Sequence, residues 1–123
     1  MTQPTIDRAT FDELKQTAGA DFVIELVDTF LVEAPRMLDE LHRALAAKEA
    51  DKFRRTAHSL KSNSNTFGAL TLGAMARELE LSGMVPAKAN KAKLDALAAE
   101  YTKVAAALTE APAWSAPEPG GRS

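Results

Sequence analysis

Apolar residues recur every three to four positions along most of this chain, and the recurrence breaks at a few definite points. From Ala20-Asp21 to about Lys48, one stripe runs through Val23, Leu26, Val27, Phe30, Leu31, Ala34, Leu38, Leu41 and Leu45, which predicts a long amphipathic helix. Pro35 lies inside it. A proline there lacks an amide and crowds the previous turn, at a cost of about 3 kcal/mol in a straight helix, so a bend or local unwinding is expected. Ahead of this helix, Phe11, Leu14 and Lys15 space a short one, with Asp7 or Thr10 as its cap and Gly19 as its end.

After a break around Glu49 to Asp51, Phe53, Ala57, Leu60, Ser64 and Phe67 mark the buried stripe of a third helix. It should end near Phe67, because Gly68 can take the left-handed conformation that caps a helix. Leu72, Met75, Ala76 and Leu79 define the next helix, closed by Gly83 and Pro86. From about Lys88 to Leu108, an alanine-rich segment carries Leu94, Leu97, Tyr101, Val104 and Leu108 at heptad spacing. Strand signals are scarce. The pattern predicts an all-α fold: an antiparallel four-helix bundle with a short extra N-terminal helix, occupying residues 1–110. Residues 111–123 are rich in proline and glycine, with Trp114 alone as a large apolar residue, and are expected to form a flexible tail.

A chain of 123 residues supports one such core and not two. The absence of cysteine excludes disulfides and thiolate metal sites. No apolar run approaches the length that crosses a bilayer, and the N-terminus lacks a signal-peptide pattern, so a cytoplasmic protein without membrane contact is expected. A net charge of -2 argues against general nucleic-acid binding. One basic cluster stands out, made by Lys52, Arg54, Arg55 and Lys61.

That cluster surrounds a histidine. On the third helix His58, Lys61, Ser62 and Asn65 share a face, which Arg54, Arg55 and Asp51 continue backwards, and the whole strip is polar. His58 is therefore expected to face water or a partner. His42, by contrast, flanks the long helix's apolar stripe without a basic neighbour in the matching position and reads as a surface histidine. Enzyme arrangements find no support: no nucleophile sits beside a base, no carboxylate pair is placed for glycoside chemistry, and a glycine-rich phosphate loop is absent. Neither histidine follows a glutamate by three, as a di-iron bundle requires, and no metal site is expected. What remains is histidine as a nucleophile toward phosphorus. Imidazole attacks well through one ring nitrogen and is a good leaving group, which suits a carrier that gives the phosphoryl group away again. Lys61, one turn on, would neutralise the phosphoryl oxygens, and small Ser62 lets another protein approach the ring.

With AHSLKSNSNTFGA around His58 and FDELKQTAGADFVIELVDTFLVEAPRML leading into it, the chain resembles a histidine-containing phosphotransfer (HPt) domain of bacterial phosphorelays over roughly Thr10 to Leu108. The resemblance implies that His58 accepts phosphoryl from an aspartyl phosphate and passes it to another receiver, with Lys61 as its electrostatic partner. Arg54, Arg55, Ser62 and Asn65 would then line the docking strip. Position 62 is often glycine in the family, so serine could narrow partner choice. The family also often places a polar side chain on the following helix against the histidine. That draws attention to Glu80, whose alternative is a pair with Arg77 one turn back. A carboxylate accepting from Nδ1–H would leave Nε2 to attack and make the ring a stronger base.

The resemblance further implies a monomeric carrier with no turnover and no bound cofactor. Its partners would be receiver domains of response regulators and hybrid histidine kinases, whose own acidic pocket binds Mg2+. The rivals are a non-relaying adaptor or phosphate sink on the same bundle, and a metalloenzyme bundle.

Overall fold

The computed structural model describes residues 5–82 and 87–110, with the backbone alone at 87–89. Trp114 and the expected tail at 111–123 lie outside the described residues, as do Gly83 and Pro86. Five helices and no strands occur among those described: α1 Arg8–Ala18, α2 Ala20–Ala47, α3 Ala50–Thr66, α4 Leu70–Ser82 and α5 Ala87–Thr109. α2 packs on α3, α3 on α4, α4 on α5 and α5 back on α2, while α1 lies against α2 and α3. None of the helices among the described residues is long and apolar enough to cross a membrane.

The periodic stripes form the core. Val23, Val27, Phe30, Ala34, Leu41 and Ala44 of α2 are buried against Phe53, Ala57 and Leu60 of α3, Leu72, Ala76 and Leu79 of α4, and Leu94, Leu97, Val104 and Leu108 of α5. Each large side chain withdrawn from water contributes about 1.5–3 kcal/mol, which is what holds the helices together. Asp7, not Thr10, caps α1: its carboxylate accepts from the Thr10 amide at 3.2 Å and from the Thr10 hydroxyl. Gly19, at φ 94°, ends α1 and begins α2.

Two expectations need correction. α2 does not unwind at Pro35; it remains α-helical from end to end. Replacing residue 35's amide leaves the Leu31 carbonyl without its helical donor, and the Tyr101 hydroxyl of α5 supplies one from 3.4 Å. Burial pushes the Tyr101 phenol above its ordinary value, so it stays a donor. The break after α2 is also tighter than expected. Lys48 takes the left-handed conformation at φ 59°, Glu49 N donates to Ala44 O at 2.9 Å, and α3 begins at Ala50.

The turn from α3 to α4 is a backbone corner. Ala69 N donates to Ser64 O at 2.9 Å and Gly68 sits at φ 84°, as the glycine implies. Gly68 has a second constraint: its carbonyl accepts from Asp7 N at 2.7 Å, and a Cβ there would come within 2.6 Å of Asp7 O. The chain ahead of α1 is thereby fastened to the end of α3.

Candidate functional site

α3 carries the candidate site because its two faces are chemically opposite. Phe53, Ala57, Leu60, Ser64 and Phe67 are buried, which fixes the helix's rotation. Arg54, Arg55, His58, Ser62 and Asn65 are consequently exposed, with Lys61 half-buried at the edge toward α4. Next to it, α4 buries Leu72, Ala76 and Leu79, so Glu80 emerges at the seam between α3 and α4.

At that seam three side chains meet. His58 Nδ1 lies 2.8 Å from Glu80 Oε2, and Lys61 Nζ lies 3.0 Å from Glu80 Oε1. The Lys61 contact is an ion pair and not a well-angled hydrogen bond. Glu80 is thus shared, one oxygen to each neighbour, and this answers whether it turns to His58 or to Arg77. Lys61 first and His58 second hold its carboxyl below the ordinary value, against the opposing effect of burial. An ionised carboxylate only accepts, so the contact places the ring's proton on Nδ1. The exposures differ: His58 has 55% of its side chain in solvent, while Glu80 has 16%. The ring stands out of the bundle while its anchor stays in the seam.

Further along the seam, Asn65 of α3 sits over Gly73 of α4, where a Cβ would overlap its amide. Sequence reasoning missed Gly73. A glycine within a helical stripe was the available signal, since it commonly marks a close approach of backbones.

The basic strip is weaker than the sequence suggests. Arg54 reaches Asp51 at 2.6 Å, Arg55 reaches the other oxygen of Asp51 at 3.0 Å, and Lys52 pairs with Glu40 of α2 at 3.3 Å. Four cations are therefore interleaved with three carboxylates when Lys61 and Glu80 are included. His42 is exposed on α2. No group of three or more His, Asp or Glu side chains gathers as metal ligands among the described residues.

At the seam, then, an imidazole more than half exposed is bonded to a carboxylate that also pairs with a lysine one turn further along α3. Comparison with known proteins identifies the family. A family model described as the Hpt domain matches residues 25–114, and the chain belongs to that family, the histidine-containing phosphotransfer domains of phosphorelays. Among solved structures, it is similar to histidine-containing phosphotransfer protein B (HptB) from Pseudomonas aeruginosa PAO1, with a TM-score of 0.76 and 29% identity, covering 89% of this chain and 95% of that one. A search of curated proteins finds no match.

Proposed function

We propose that this chain is a phosphocarrier in which His58 Nε2 accepts a phosphoryl group from an aspartyl phosphate on a receiver domain and relays it to or from a response regulator. The observation that carries the reading is the commitment of Nδ1 to Glu80 on a ring that is otherwise more than half exposed. With its proton on Nδ1, the ring has its lone pair at Nε2, the nitrogen not engaged by Glu80. In the transfer, that pair attacks phosphorus, the P–O bond to the aspartyl oxygen breaks, and the electrons leave with the receiver's carboxylate. Lys61 is held by Glu80 in the resting chain, and a phosphoryl group one turn away offers it a more highly charged anion.

The proposal takes α2 to α5 as an antiparallel four-helix bundle with α1 as its N-terminal addition. It needs no cofactor on this chain, since Mg2+ belongs to the receiver's acidic pocket, and no turnover without a partner. The carrier works as a cytoplasmic monomer. Receiver domains of response regulators and hybrid histidine kinases dock over His58, with Arg54, Arg55, Ser62 and Asn65 at the contact. Because the arginines are already shared with Asp51, their contribution is to orient a receiver at short range, and long-range steering is modest.

The test is phosphoryl uptake from a phosphorylated receiver, followed by addition of a second receiver. The wild type should take up label and release it to the second receiver, and His58→Gln should take up none. Label that stays on His58 would mark a phosphate sink, and a wild type that binds without uptake would mark an adaptor.

A further inference from the structure

We infer that Glu80 keeps the proton on His58 Nδ1 through the whole phosphoryl cycle, so that each transfer off this chain expels a neutral imidazole and never an imidazolate. The inference rests on His58 being the acceptor and adds what happens once the phosphoryl group is in place. Attack through Nε2 leaves a ring with phosphorus on one nitrogen and hydrogen on the other, carrying a positive charge. An isolated ring in that state relieves its charge by losing the Nδ1 proton to water. The next transfer would then have to return the electron pair of the N–P bond to a ring lacking that proton, and the leaving group would be the anion. If the proton is retained, the receiver's carboxylate forms the new P–O bond and the N–P bond breaks. The pair then returns to Nε2 of a neutral imidazole, with no proton moved at any step.

The geometry around the ring is suited to that retention. Glu80 Oε2 lies 2.8 Å from Nδ1, a distance for a charge-assisted bond, and the carboxylate is sheltered from competing water while the ring is not. Lys61 on the other oxygen keeps the carboxylate ionised when the ring is neutral. Few other charges bear on the ring. On α3, Arg54 and Arg55 are tied to Asp51; on α2, Glu40 is held by Lys52; on α4, Glu78 turns to Lys93 and Arg77 is exposed a turn before Glu80. α1 meets the opposite end of α3, at Gly68. Glu80 is thus the one carboxylate bonded to the ring among the described residues. A glutamine would keep the shape and the acceptor but not the charge. Glu80 is accordingly a positioning residue with an electrostatic duty that an amide cannot perform.

The experiment uses the full chain phosphorylated on histidine by phosphoramidate, following loss of the phosphoryl group by 31P NMR between about pH 6 and 9, a window that spans ordinary imidazole titration. The wild type should lose it at a rate nearly flat across the window. Glu80→Gln should slow progressively with rising pH, approaching about tenfold per unit once its ring has lost the proton. The 15N shift of Nδ1 in the phosphorylated wild type should remain that of a protonated nitrogen at about pH 8. Superimposable rate profiles, or a deprotonated Nδ1 in the wild type, would overturn the inference while leaving His58 as acceptor. Uptake of label by His58→Gln would instead remove the reading beneath it. Because the 15N measurement needs no variant, a Glu80→Gln chain that fails to fold leaves the question decided.

Discussion

The two ends of α3 are built on different physics. Around His58, the structure is a set of side-chain contacts at the edge of the bundle: Glu80 bonded to the His58 ring and paired with Lys61, and Asp51 paired with Arg54 and Arg55. Around Gly68 the contacts are backbone hydrogen bonds and close steric fits, with Asp7 N on Gly68 O, Ala69 N on Ser64 O, and Phe67 packed 5.3 Å from Phe30, which in turn lies 6.0 Å from Tyr101. Exposed ion pairs contribute little to stability, whereas a packed backbone corner tolerates almost no change. The difference separates two duties along one helix. Substitutions near His58 should change phosphoryl chemistry and leave the fold nearly intact, and substitutions near Gly68 should do the reverse.

Gly68→Ala tests the second half of that statement most severely. The substitution puts a side chain on a residue at φ 84° and drives its Cβ to 2.6 Å from a backbone oxygen that belongs to another segment. Left-handed strain and overpacking together should cost about 2–4 kcal/mol, read as a lower denaturation midpoint in urea. Any folded fraction should still take up phosphoryl on His58. If the variant were as stable as the wild type, the corner would be adjustable and the contrast between the two ends would fail.

A smaller effect is expected at Tyr101, beneath the same corner. Tyr101→Phe keeps the ring against Phe30 and removes the hydroxyl that serves the Leu31 carbonyl. At 3.4 Å the bond is long, so a loss of about 0.5–1 kcal/mol is expected. The sharper measurement is a double-mutant cycle with Pro35→Ala, which restores an amide donor to Leu31. With alanine at 35, the cost of Tyr101→Phe should fall toward zero. An unchanged cost would mean that the hydroxyl is not what compensates for the proline.

These cases also show where the sequence was legible. The apolar stripes and Gly19 and Gly68 made the helices and their order readable, because burial and positive φ leave a mark on residue type. The α2–α3 turn was placed late because its left-handed position is filled by Lys48, and lysine announces nothing. Pro35 announced an unwinding that does not occur, and the donor for the carbonyl it strands comes from Tyr101, far along the chain. At the site, His58 and Lys61 were readable from spacing on one helix. Glu80 needed the family resemblance to be singled out, and its choice of His58 over Arg77 depends on how α4 lies against α3. The pairing of the basic strip was legible only in part for the same reason: Asp51 is its near neighbour in sequence, but Glu40 and Glu80 reach it from other helices. Asn90, fully buried at the start of α5, drew no attention at all.

Ser64 gives an effect of opposite sign. It lies on the buried face of α3, six residues from His58, and its carbonyl takes part in the Gly68 turn. Its hydroxyl is fully buried and bonds to nothing among the described residues. A polar atom withdrawn from water without a partner costs free energy, and serine is a poorer helix former than alanine by a few tenths of a kcal/mol. Ser64→Ala removes both penalties while keeping nearly the same volume and all of the backbone bonds. The variant should therefore be more stable by about 0.5–1.5 kcal/mol in urea unfolding, with phosphoryl uptake at His58 unchanged. A loss of stability would instead show that the hydroxyl is satisfied, through a buried water or a carbonyl of its own helix. In that case polar bonding, and not packing alone, would help to hold this end of α3, and the line drawn between its two ends would have to move toward His58.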